Sequence, residues 1–201
     1  MKALPSYVLG LGLLAMPALR ADLVSDLTAK ADAGDPIAQV ELGNVYAKGE
    51  GAAKNLKDAA KWYAKAAEQG NLEAQLGLGA IYIKGQGVPK DSREAAKWYL
   101  KAAEQGNADA QCQVARMHMA GAGVPKDDVE AYKWSSVAAA QGNPAAKTVL
   151  MVLEKRMTKV QVAKARELSR GLTQMKKGDA PGGEAPPVEP IPPEVLEPEG
   201  N

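Results

Sequence analysis

KWYAKAAEQGN at residues 61–71 and KWYLKAAEQGN at residues 97–107 are one phrase written twice, and KWSSVAAAQGN at residues 133–143 is a third, worn copy. A catalytic centre is normally written once, so the repetition points to architecture before chemistry. The copies lie 36 residues apart, and other columns keep the same step: Gly34, Gly70, Gly106 and Gly142; Ala38, Ala74, Ala110 and Ala146. So do Gly49, Gly85 and Gly121; Gly51, Gly87 and Gly123; and Trp62, Trp98 and Trp134. A gapless period of this size marks stacked repeats, in which each unit buries its apolar face only against its neighbours.

Each unit reads as two helices. The first is expected over 36–48, 72–84 and 108–120. Asp35, Asn71, Asn107 and Asn143 precede it as N-caps, whose short polar side chains accept from first-turn N–H groups. Pro36 and Pro144 then fill a position where the missing N–H has no cost. Gly49, Gly85 and Gly121 stop the helix, and the GQGVPKD and GAGVPKD turns prevent its continuation. The second helix opens at Asn55, Asp91 and Asp127, with Asp58, Glu94 and Glu130 three residues on as a reciprocal capping-box variant. It ends at the next periodic glycine. Ala59, Trp62, Tyr63, Ala66 and Ala67 share one face of it, and Ala38, Leu42, Val45 and Tyr46 share one face of the first helix. Alanines and Gly43 or Gly79 allow close helix approach, while the Trp column fills space between units.

The pattern A-x-Q-x-x-L-G-x-x-Y-x-x-G-x-G-V-P-x-D, followed by E-A-x-K-W-Y-x-K-A-A-E-Q-G, resembles the Sel1-like repeat, a relative of the tetratricopeptide repeat. The second unit follows it at Ala74, Gln75, Leu78, Gly79, Tyr82, Gly85, Gly87, Val88, Pro89, Asp91, Ala95, Trp98 and Tyr99. The first departs at Ala52 and Ala53, and the third at Cys112, His118, Ser135 and Ser136. The resemblance implies an all-α fold, a right-handed α-α solenoid of antiparallel helix pairs, and protein–protein interaction as its use.

The organisation expected is three repeats over about 35–70, 71–106 and 107–142, between a leading half-repeat (22–34) and closing helices (143–172). Leu23, Leu27 and Ala31 are expected on the packed side of the first cap, and Val160, Ala163, Leu168 and Leu172 on that of the last. Solenoid ends need such caps because they would otherwise expose apolar faces.

The two termini differ in kind from the array. Lys2, the apolar run Tyr7–Met16, and small residues at Ala18 and Ala21 have the form of an export signal. The run falls short of the roughly 20 residues needed to span a membrane; a non-cleaved anchor or a buried N-terminal helix is the alternative. Residues 173–201 are rich in Pro and Glu, a composition that cannot bury a core and predicts a disordered tail. From Gly178 onward there are six acidic residues and no Lys or Arg, so the rest of a chain with net charge +1 is basic. The overall balance demands no nucleic-acid partner.

Catalytic sets are missing from the sequence pattern. His118 stands in the column of Tyr46 and Tyr82 and is expected to pack there. Cys112 and His118 are too few for a zinc site, which needs three or four ligands. The G-x-G pairs lack the strand context of a dinucleotide site, and Ser135 and Ser136 have no histidine at compatible spacing. The expectation is therefore a non-enzymatic monomer without cofactor or metal, located in the periplasm or secreted, with no membrane span after signal removal. Its partner is a protein or peptide bound on the concave face, where variable columns of the first helices stand. These are Glu41, Gly77 and Gln113; Asn44, Ala80 and Arg116; Lys48, Lys84 and Ala120. Glu41, Asn44, Lys48, Lys84, Gln113 and Arg116 are the binding candidates. A cell-wall or β-lactam-type ligand binder or weak hydrolase, and a structural spacer in the cell envelope, are the alternatives. The cysteine pairs of relatives associated with β-lactams are absent.

Overall fold

The computed structural model describes residues 17–178, with side chains described over 23–172. Residues 1–16 of the expected export signal (1–21) and the expected tail from Asp179 onward lie outside the described residues. Those described form helices only: α1 (Pro17–Asp32), α2 (Pro36–Lys48), α3 (Leu56–Glu68), α4 (Leu72–Lys84), α5 (Ser92–Glu104), α6 (Ala108–Ala120), α7 (Asp128–Ala140), α8 (Pro144–Glu154) and α9 (Lys159–Gly178). The first helices of the three repeats begin and end where the spacing predicts.

Helix ends explain that regularity. Asp35 accepts from the Ile37 and Ala38 N–H groups, and Asn71, Asn107 and Asn143 from those of Ala74, Ala110 and Ala146. At the end of α3, Gly70 takes φ 87° and donates to the Ala67 carbonyl, while Asn71 donates to that of Ala66. This is a Schellman closure, which needs a left-handed residue that glycine adopts without strain. The same pair of bonds recurs at Gly106/Asn107 and Gly142/Asn143. Thus glycine closes one helix and the next residue opens another.

The second helices start differently from the expectation. Asn55, Asp91 and Asp127 do cap them. The reciprocal half of the box is not made: the N–H groups of Asn55, Asp91 and Asp127 donate instead to the carbonyls of Tyr46, Tyr82 and His118. Asp58, Glu94 and Glu130 pair instead with Lys61, Lys97 and Lys133, and Asp58 also accepts from the side-chain amide of Asn55. A long-range backbone bond has displaced a local one, so the turn is tied to the helix before it. A reciprocal capping box does form at the start of α9, where Thr158 N–H donates to Gln161 Oε1 and Gln161 N–H to Thr158 Oγ; it agrees with the T-x-x-Q pattern.

The chain divides into two compact units, one holding α1–α4 and α5 through Trp98, the other the rest of α5 and α6–α9. In the first, α2 pairs with α3, and α3 with α4, while α1 packs on α2. Its core contains Val40, Ala59, Tyr63, Ala66, Leu78, Ile81 and Trp98, with Ala31, Ala38 and Leu42 beneath α1. Trp62 is only partly buried against that second cluster. On α1, Ala31 is buried, but Leu23 is 53% exposed and Val24 takes the place expected of it.

In the second unit α6 pairs with α7, and α7 packs on α8. Here the regular pattern stops: α9 lies along α7 instead of pairing along α8. Its buried residue is Ala165; Val160 and Leu168, expected to close the stack, are 62% and 39% exposed, and Ala163 is exposed as well. Ala165 presents the smallest side chain to α7, which permits close approach. α9 also runs on to Gly178, so residues 173–178 are helical where the composition suggested tail.

Candidate functional site

Tyr63 organises the surface shared by α2 and α4. A Cβ on Gly43 would lie 2.8 Å from the Tyr63 ring, and one on Gly77 would touch its other side at 3.6 Å. The ring thus fits between two helices because neither carries a side chain there. Its hydroxyl donates to Asn44 Oδ1 at 2.7 Å, and Asn44 Nδ2 donates to Glu73 Oε1 at 3.0 Å. Burial pushes the Tyr63 phenol above its ordinary pKa, and the Glu73 carboxylate adds to the rise. Asn44, a predicted binding residue, is therefore engaged within the fold. Glu41, Lys48 and Lys84 of the same unit are exposed and make no ion pair among the described residues.

In the second unit Gln113 and Arg116 are exposed on α6. The pair of columns that holds Gly43 and Tyr63 carries Ala115 and Ser135 there, both fully buried. Ser135 Oγ donates to the Ala131 carbonyl at 2.6 Å, so this hydroxyl is held against its own helix and is not poised for attack. Cys112 is a buried free thiol, pushed up in pKa by burial, with Arg116 drawing it partly back. His118 is partly buried, with Nδ1 3.2 Å from the Pro125 carbonyl. Among the described residues no group of three or more His, Cys, Asp or Glu side chains could hold a metal ion.

Buried glutamines were missed as a structural ladder, although Gln75 stands in the repeat pattern. Gln39, Gln75 and Gln111 each donate from Nε2 to a carbonyl of the preceding helix: Ala31, Ala67 and Ala103, at 3.0–3.2 Å. Gln69 and Gln141 complete two of them by donating to the Oε1 of Gln39 and Gln111. The signal in the sequence was a polar residue recurring at the repeat step inside an otherwise apolar face. A lysine ammonium lies over each repeated Trp ring: Lys65 on Trp62 at 3.8 Å, Lys97 on Trp98 at 5.4 Å and Lys133 on Trp134 at 5.2 Å. The first of these comes from the turn after the KW pair, not from Lys61.

The Sel1 repeat pattern matches residues 36–71, 72–107 and 108–143. The chain belongs to the Sel1 repeat family. Among solved structures, a Sel1 repeat protein from Oxalobacter formigenes is 45% identical with a TM-score of 0.58, covering 65% of this chain and 97% of its own. The protective antigen c5321 of uropathogenic Escherichia coli, which displays the SLR fold, is 30% identical with a TM-score of 0.68. That match covers 84% of this chain, which spans 38% of the antigen's length. No curated protein sequence matches. The fold is thus the helical solenoid of Sel1 repeats, whose proteins are generally non-enzymatic scaffolds for protein interaction. No helix among the described residues is long and apolar enough to cross a membrane.

Proposed function

We propose that this Sel1 repeat protein is an exported scaffold that binds a protein or peptide through the exposed side of its first helices, the concave face of the solenoid. The observation that carries the reading is a division of labour between columns. On the first helices the repeated columns of Ala38, Gln39 and Leu42 are buried in all three copies, whereas the columns of Glu41 and Asn44 change residue from copy to copy; Glu41, Gln113 and Arg116 stand in solvent, as do Lys48 and Lys84, whose column ends in Ala120. Asn44 is withdrawn from the contact set because Tyr63 and Glu73 hold it. Varied, exposed charges on rigid helices suit selective recognition, since the supporting backbone is already ordered before binding.

A photo-crosslinking amino acid placed at Lys84 or Arg116 in living cells should yield a discrete adduct, identified by mass spectrometry. The same probe at Lys61, on a second helix, should not. Equal adducts from both positions, or none from either first-helix position, would refute the placement. Export has its own readout. Sequencing of the mature N-terminus should begin after Ala18 or Ala21, and an intact Met1 on the recovered protein would remove the exported part of the reading. Either cleavage leaves Val24, Leu27 and Ala31 to pack beneath α2.

A further inference from the structure

We infer that residues 189–201 of this same chain dock in the cleft between the end of α8 and the start of α9, guided by a basic stripe on α9. The cleft measures about 350 Å³ and is lined by Glu154, Met157, Lys159, Val162, Ala163 and Arg166. It exists because α9 leaves the helix-pair pattern and rests on α7. Half of its lining is apolar (Met157, Val162, Ala163) and half forms a charged rim (Glu154, Lys159, Arg166). Glu154 is already neutralised: it accepts from the Tyr132 hydroxyl at 2.9 Å and pairs with Arg166 at 3.5 Å. What remains on the rim is positive.

Lys159, Ala163, Arg166 and Arg170 follow helical spacing, so they lie along one face of α9. Lys159 and Arg170 are exposed and make no ion pair among the described residues, and the same is true of Lys155 at the end of α8. Residues 144–178 contain nine Lys and Arg against two Glu, whereas residues 179–201 contain six acidic residues and no base. The occupant is matched in kind as well as in charge: Val195 and Leu196 stand between Glu194 and Glu197, an apolar pair in an acidic frame.

Length agrees. α9 is 20 residues long, about 30 Å at 1.5 Å per residue. A proline-rich strand advances about 3.1 Å per residue, so roughly ten residues return from Gly178 to the start of α9. That brings the segment after about residue 188 to the cleft. A tethered segment sits at an effective concentration in the millimolar range, so even a weak contact is occupied in cis. The inference does not depend on what the first helices bind.

The test uses the full-length chain with Cys112→Ser and Glu194→Cys, a nitroxide on the introduced thiol, and nitrogen-15 amide spectra. At low salt the label should broaden the amides of residues 154–166 and leave those of α2 and α4 sharp. Lys155→Glu, Lys159→Glu and Arg170→Glu together should abolish the effect, as should about 0.5 M salt, at which surface attraction is strongly screened. Absence of broadening in α8 and α9, or broadening unchanged by the charge reversals, overturns the inference. So does equal broadening when the nitroxide is carried only by unlabelled protein mixed with the isotope-labelled chain, because the occupant is then a second copy.

Discussion

Gly43 and Tyr63 act as one unit at the residue scale. The ring occupies the space where a Cβ on residue 43 would stand, 2.8 Å away, and its hydroxyl then anchors Asn44. Gly43→Ala should destabilise the fold by about 1–3 kcal/mol, the usual cost of overpacking a close contact, read by urea denaturation. The third repeat suggests the compensation, since it pairs Ala115 with Ser135 in those columns. Gly43→Ala with Tyr63→Ser should therefore cost less than the sum of the two single changes, because contacting residues couple. Strict additivity would contradict the contact. The glycine was visible in the sequence as a site of close approach. Its partner was not, because the pairing joins positions twenty residues apart whose orientation only packing defines.

At the element scale the caps differ in their second bonds. Asn107 caps α6 through the Ala110 N–H, whereas Asn143 caps α8 through Ala146 and also donates from Nδ2 to Asp109 Oδ1 at 2.7 Å. Asn107→Ala should cost about 1 kcal/mol, the typical loss of a cap. Asn143→Ala should cost measurably more in a thermal melt, since it also leaves a carboxylate without its donor; equal losses would refute that second role. Capping was readable from composition and spacing because it is local. The missing reciprocal bonds at Asn55, Asp91 and Asp127 were not, because carbonyls of the preceding helix, invisible in side-chain identity, took the N–H groups.

For the whole molecule, the Trp columns are unequal. Trp98 is 5% exposed within the first unit's core, while Trp62 is partly buried with Lys65 over its ring. Trp98→Ala should cost about 3–5 kcal/mol and Trp62→Ala clearly less; matched losses in chemical denaturation would contradict the burial. Alkaline pH acts on the folded state through its tyrosines. Burial raises the phenols of Tyr63, Tyr99 and Tyr132 above their ordinary value. The unfolded chain then releases these protons first, near pH 10. Stability is fully present below that pH and is lost as pH rises through the higher folded values. The denaturation midpoint should fall above about pH 10, less steeply in Tyr63→Phe; an identical slope would exclude Tyr63 as a contributor. The sequence alone determined the repeat length, the helices and their caps, because these rest on local conformational preference recurring at a fixed step. Tertiary structure decided which exposed residues stay free, that Asn44 is held by Tyr63, and that α9 turns onto α7 and opens a basic cleft. Those outcomes depend on where distant side chains meet, a property no single period can carry.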